Sequence, residues 1–238
     1  MKLYAYCLTE RLDAPDDLPP GVSGSKVSLL QHEELGVLVS ASEIDAVPVT
    51  RENALAHAAV VRSLLDQTTP LPFRFGNIIP EQQLRSYLTA RKSALKTQLA
   101  HVRGCVEMNV KIIQQPENND AERPQLDSQG PGTAFLADKR REIVGNELRS
   151  SQSAELATLV RETVDGLVKD EQVTLRPSER LVLAAAHLVE RTSIQAYREK
   201  MAEAVKLRPE LHFLVSGPWP PYSFANIELE FLTQFGVT

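Results

Sequence analysis

Apolar positions along the chain alternate in some stretches and recur every three or four residues in others, which marks out short strands and a few longer helices. Lys2–Leu8 alternates weakly and is rich in Tyr and Leu, predicting a strand. Asp13–Gly24 holds Pro15, Pro19 and Pro20 and reads as a loop. Lys26–Gln31 and Leu35–Ala41 predict two strands joined as a hairpin by His32, Glu33 and Glu34. From Arg51 the period changes: Ala54, Ala58, Val61 and Leu65 form one helical stripe, with Thr50 as its N-cap. Leu71, Phe73 and Phe75 then share one face of an extended segment, which Pro70 and Pro72 confine to a sheet edge or strand entry. A second helix opens at Pro80, carries Leu84, Leu88, Leu95, Leu99 and Val102 as its stripe, and closes at Gly104.

Val106–Ile113 alternates again and predicts a strand. Gln115–Gly132 offers only Ala121 and Leu126 to a core, and is expected to be a mobile loop dispensable for folding. Thr133–Asp170 reads as helical, broken near Gly145 or the serines Ser150, Ser151 and Ser153, with Leu156, Val160, Thr163, Val164 and Leu167 on its second stripe. Gln172–Arg176 and Leu181–Glu190 predict strands. Ser193 can cap a helix carrying Ile194, Tyr197, Met201 and Ala204, and Leu211–Val215 closes the pattern as a strand. From Val106 the order is β-α(α)-β-β-α-β, the ferredoxin-like order with an enlarged first helical segment. The fold expected is α+β in two domains: a mixed N-terminal domain over 1–103, a ferredoxin-like domain with inserted helices over 104–221, and a tail over 222–238 packing on the first domain.

Composition narrows the function classes. A chain of 238 residues with 42% apolar residues can bury a real core, which rules out wholesale disorder and makes two domains the natural division. Its net charge is −5 and neither half is strongly basic, so a nucleic-acid partner is not expected. No apolar run has the length of a membrane span, and Met1–Cys7 is too short for a secretory apolar region. Cys7 and Cys105 allow one disulfide or two buried thiols; buried, reduced thiols are the expectation.

Catalytic signatures are missing. There is no Gly-x-Ser-x-Gly elbow, no phosphate-binding glycine loop, and no two of the five histidines stand at metal-binding helical spacing. No catalytic, cofactor or metal residue is therefore assigned. His57 borders the first helical stripe and admits two readings: an acid–base or ligand group near Arg74, or a boundary histidine bonded to a backbone carbonyl. Arg74, flanked by Phe73 and Phe75, is either a buried anchor or an exposed strand residue. Lys139, Arg140 and Arg141 form a basic run that is a partner patch or a solvated face. Ser216–Phe224 is dense in proline, so the strand ending at Val215 should not continue into it. It reads either as a polyproline recognition ligand or as an internal strap with Trp219 and Tyr222 buried.

Three of these segments together resemble the gas vesicle protein GvpL/GvpF family. They are His57 with Pro70-Leu71-Pro72-Phe73-Arg74-Phe75-Gly76, then Gly130-Pro131-Gly132-Thr133-Ala134-Phe135-Leu136 with Lys139-Arg140-Arg141, and then Ser216-Gly217-Pro218-Trp219-Pro220-Pro221-Tyr222-Ser223-Phe224. Their order and separations match over about residues 1–225, and the opening Leu3-Tyr4-Ala5-Tyr6 is similar to the family start. Gln115–Gly132 departs from the pattern, being longer and more polar. The resemblance implies two α+β domains, the second a modified ferredoxin-like fold with a helical extension. It also implies a minor, non-enzymatic component of gas vesicles that binds the hydrophobic shell protein, limits its aggregation and supports vesicle formation. The expected partners are the shell protein and other accessory gas vesicle proteins, and the expected location is the gas vesicle, with a soluble cytoplasmic pool before assembly. The motif positions carried over, in a structural or partner-binding role, are His57, Pro72, Arg74, Phe75, Gly76, Thr133, Phe135, Leu136, Gly217, Pro218, Trp219, Pro221, Tyr222 and Phe224. A competing reading is a small-molecule-binding or enzymatic α+β protein with a pocket near His57 and Arg74.

Overall fold

The computed structural model describes residues 1–13, 15, 17–114, 151–174 and 181–227. The loop 115–132, the Thr133, Phe135 and Leu136 motif, the Lys139–Arg141 run and the end of the tail lie outside the described residues. Within them the chain is α+β, with two sheets and a helical layer for each. It divides into two compact units: Met1–Glu107 with the segment from Pro218, and Met108–Gly217.

The first sheet has the order β2-β3-β1-β4, with β5 on the same side of β1 as β4. Its members are β1 (Lys2–Glu10), β2 (Val27–His32), β3 (Leu35–Ser42), β4 (Leu71–Pro72) and β5 (Ile78–Pro80). All pairings are antiparallel. β1 is central and covered on both faces, so Leu3 through Leu8 are all buried; that is why its alternation is weak in the sequence. The β4–β5 segment is an edge, as its prolines require, and its interruption at 73–77 stays tied to β1 through Phe73 N–H to the Tyr6 carbonyl and Ala5 N–H to the Asn77 carbonyl.

Two helices belong to this unit. In α2 (Glu81–Val102) the buried residues are the predicted Leu84, Leu88, Leu95, Leu99 and Val102. In α1 (Arg51–Ser63) Thr50 caps the N-terminus by accepting from Asn53 N–H, as expected, but the inward face is Asn53, His57, Val60 and Val61, continued by Leu64. Ala54 and Ala58 are exposed. Alanine gains little from burial, whereas the two polar side chains find internal partners.

The second sheet has the order β7-β8-β6-β9. It is built from β6 (Cys105–Gln114), β7 (Val168–Thr174), β8 (Leu181–Glu190) and β9 (Leu211–Trp219). With α3 (residues 151–163) between β6 and β7 and α4 (Ile194–Leu207) between β8 and β9, this is the ferredoxin-like arrangement. Two boundaries differ from expectation. The helix stops at 163 and a turn over 164–167 delivers β7 at Val168, whereas the sequence pattern carries the helix to Asp170. β9 runs through Pro218 to Trp219 instead of ending at Val215. An edge strand tolerates proline because its outer N–H has no ladder bond to lose.

Candidate functional site

Two alternate positions of β1 build the polar centre of the first unit. Tyr4 and Tyr6 both project toward α1 with ring centroids 4.7 Å apart, and His57 and Phe75 complete the aromatic cluster. The Tyr4 hydroxyl lies 2.9 Å from His57 Nδ1 and accepts the Gly76 N–H at 3.1 Å. Gly76 has φ +93°, so the turn that aims this N–H inward suits glycine. The Tyr6 hydroxyl meets Ser40 Oγ at 2.9 Å and accepts the Val22 N–H at 2.9 Å. A Cβ at the preceding Gly21 would stand 2.1 Å from that hydroxyl, so the loop approaches the ring only because the side chain is missing. Asn53 secures the same loop, accepting from Ser23 N–H and donating to the Pro48 carbonyl.

Burial sets the protonation of this cluster. His57 is pushed down to about 4, with the Phe73 backbone partly opposing the shift. Tyr4 is pushed up to about 12, the Gly76 hydrogen bond opposing. At neutral pH both are uncharged, a state suited to holding a core together rather than to moving protons through solvent. Arg74 is exposed, and Pro72 is buried. His57 is buried whereas Arg74 is exposed. The cavities at Tyr87–Asn226 and at Val22–Val47, about 170 and 180 Å³, are lined by neither residue.

The C-terminal motif closes on the same unit. Pro220 and Pro221 are buried, a turn follows at 222–224, and Phe224 and Ile227 are buried beyond it. The buried carboxylate of Glu107 accepts both Ser223 N–H at 2.7 Å and Ser223 Oγ–H at 3.0 Å. Trp219 and Tyr222, expected to be buried, are 38% and 41% exposed. Because β9 continues to Trp219, the indole lies along the strand's end, under the Arg62 guanidinium at 5.5 Å. The anchors of the segment are Phe224, Ile227 and the Glu107 carboxylate.

The second unit repeats the histidine–tyrosine pairing. His187 on β8 places Nδ1 2.7 Å from the Tyr197 hydroxyl of α4, both fully buried. Across the strand pair Glu171 holds Arg161 and stands 3.9 Å from His187 Nε2. Burial lowers the His187 pKa, the Glu171 charge opposing and the Arg161 charge adding to the shift. Among the described residues no group of three His, Cys, Asp or Glu is arranged to hold a metal ion, and no helix is long and apolar enough to cross a membrane. Cys7 and Cys105 are both free and buried.

Sequence reasoning picks out His57, Phe75 and Gly76, which the structure brings together, but misses what joins them. Tyr4 and Tyr6 read only as strand residues; two tyrosines at alternate positions of an otherwise aliphatic strand are the one available signal. Asn53 stands at the capping-box position and is legible only as a cap. Glu107 carries a signal too, as the lone acid in the run Cys105–Ile113.

The comparisons with known proteins agree across the chain. The family model described as gas vesicle synthesis protein GvpL/GvpF matches residues 2–226. Gas vesicle protein F1 of Halobacterium salinarum is 26% identical over 231 residues, covering 95% of this chain and 94% of that protein. Gas vesicle protein L of a Streptomyces species is 27% identical over 256 residues, covering 95% and 94%. The fold is that of the crystal structures of gas vesicle protein GvpF from Anabaena sp. and Microcystis aeruginosa, with TM-scores of 0.74 and 0.75. These are 19% and 18% identical, and each comparison covers 95% of this chain and 99% of the other. With the family model matched over nearly its whole length, this chain belongs to the gas vesicle synthesis protein GvpL/GvpF family.

Proposed function

We propose that this protein is an accessory factor of gas vesicle formation that binds the hydrophobic shell protein, limits its aggregation and supports its assembly. The observation that carries the reading is the family match over residues 2–226, together with relatives named gas vesicle proteins F and L, matched over 95% of this chain and 94% of theirs. The physics of such a role is simple. A subunit that polymerises through apolar surface needs a soluble partner to cover that surface beforehand. This chain leaves apolar side chains exposed that can do so. Val205, Leu207 and Leu214 lie on the second unit, and Val49, Leu55, Trp219 and Tyr222 on the first. The role needs no catalysis, and the buried, uncharged His57 and Tyr4 fit a structural part in it. Other accessory gas vesicle proteins are further partners in this reading. The protein resides at the gas vesicle, drawn from a soluble cytoplasmic pool.

The test is co-purification of the tagged full chain with the shell protein, combined with deletion of its gene in a vesicle-forming host. Retention of the shell protein and loss of vesicles are expected. Normal vesicle yield without the protein, and no retention of the shell protein, would overturn the proposal.

A further inference from the structure

β9 is the outermost strand of the second sheet, and no described strand pairs with its far side. Proteins ordinarily guard such an edge with charge, because its backbone groups can template another strand. The opposite edge is guarded in that way: β7 carries Lys169, Asp170 and Glu171 in succession. From Leu211 to Gly217, β9 carries no Lys, Arg, Asp or Glu, and only beyond that does Pro218 interrupt it. Beside it lies a cavity of about 380 Å³ between strand and helix, walled by Phe213 and Val215 of β9 and by Met201 and Val205 of α4, with Met108 behind. At one end Arg198 donates to the Gly217 carbonyl at 3.0 Å, and no described carboxylate pairs with its guanidinium.

The geometry points to a peptide-binding groove: we propose that an extended apolar segment of a partner polypeptide adds to β9 as a further strand, with a carboxylate of that segment on Arg198. Each part of the groove selects a feature of the occupant. Backbone groups along an edge pair well only with an extended chain. The cavity takes the apolar side chains that point inward at every second residue, and its volume is that of a small ligand site. The remaining Arg198 donors suit a carboxylate, which would orient the segment with its acidic end toward Gly217. Identifying the partner as the shell protein rests on the function proposed above; the chemistry of the groove does not.

The probe is a fluorescein-labelled peptide of alternating threonine and valine with a free C-terminal carboxylate, titrated against the full chain and followed by anisotropy. Saturable binding is expected, weakened about tenfold by Arg198→Glu and by Val205→Glu, since a charge-assisted contact or an apolar wall is worth that much. Both positions are exposed, so the variants should fold, and Leu55→Glu on the first unit should bind like the unaltered protein. N-methylating alternate peptide amides should weaken binding to a similar degree, which simple insertion of side chains would not do. Equal binding by the N-methylated peptide, or by the groove variants, overturns the proposal. So does a dimer in sedimentation that Val205→Glu converts to monomer, because the edge would then be occupied by a second copy. The shell protein is run in parallel. Shell binding unaffected by the groove variants overturns the groove and leaves the assembly role standing. Peptide binding without shell binding does the reverse.

Discussion

The Tyr4 hydroxyl lies 2.9 Å from His57 Nδ1 while accepting the Gly76 N–H at 3.1 Å, so one phenol joins the central strand, α1 and the turn after β4. The hydroxyl both donates and accepts, so it can serve the Gly76 N–H and Nδ1 together, and the tautomer of the neutral imidazole sets which of the two supplies the shared proton. Tyr4→Phe keeps the ring and strands the buried His57 Nδ1 and the part-buried Gly76 N–H. It should cost about 1–3 kcal/mol in urea unfolding. An unchanged midpoint would show that the turn and helix are held by packing alone.

The same histidine should make stability depend on pH. Its folded value of about 4 lies below the unfolded 6.5, so between these values the unfolded chain binds a proton that the folded one refuses. Above pH 6.5 the residue contributes no slope; as pH falls toward 4 the fold should lose roughly 3 kcal/mol on its account. Urea midpoints measured across this window should decline less steeply in His57→Gln than in the unaltered protein. A residual slope of the same sign is expected from His187, whose pKa is also lowered by burial. Identical profiles would show that His57 titrates normally.

Glu107 offers a separate test of how the C-terminal turn is held. Its buried carboxylate takes both polar hydrogens of Ser223, and bonds to a charged acceptor are among the stronger ones. Ser223→Ala removes the hydroxyl bond and should cost about 2 kcal/mol. Amide exchange over residues 222–225 should accelerate with it, while β2 and β3 stay protected. Uniform acceleration across the first sheet would mean that the turn opens only with the whole unit.

What the sequence discloses and conceals follows from which interactions leave a periodic trace. The α2 stripe is legible because each inward position is a large aliphatic residue. The inward face of α1 is displaced by one position from the apolar stripe, since Asn53 and His57 find hydrogen-bond partners inside, Ser23 and Tyr4 among them, which are distant in sequence. The βαββαβ order is legible from strand and helix periods alone, but the length of β9 is not. Proline rules out a central strand and is silent about an edge, and only the sheet order says which one β9 is. In the same way, Arg74 between two phenylalanines leaves burial open, and it is exposed in the interruption between β4 and β5. The motif residues His57, Phe75 and Gly76 stand out individually, while the hydroxyl that links them is visible only once β1 is placed beneath α1.

Exposure ranks the C-terminal aromatics in the reverse of the order expected from residue size. Trp219 is the largest side chain of its segment, yet it is 38% exposed, whereas Phe224 is buried to 7%. Truncation cost follows the area and contacts actually removed. Phe224→Ala should therefore cost about 3 kcal/mol, near the usual value for a buried phenylalanine. Trp219→Ala should cost about 1 kcal/mol, drawn from its half-buried face and the Arg62 guanidinium above the ring. Because Trp219 is the sole tryptophan, its emission reports the same geometry without a reference residue. The spectrum should be red-shifted from that of a buried indole and quenchable by acrylamide, and Arg62→Ala should make quenching more efficient. Blue-shifted emission immune to acrylamide, with Trp219→Ala as costly as Phe224→Ala, would return the indole to the core.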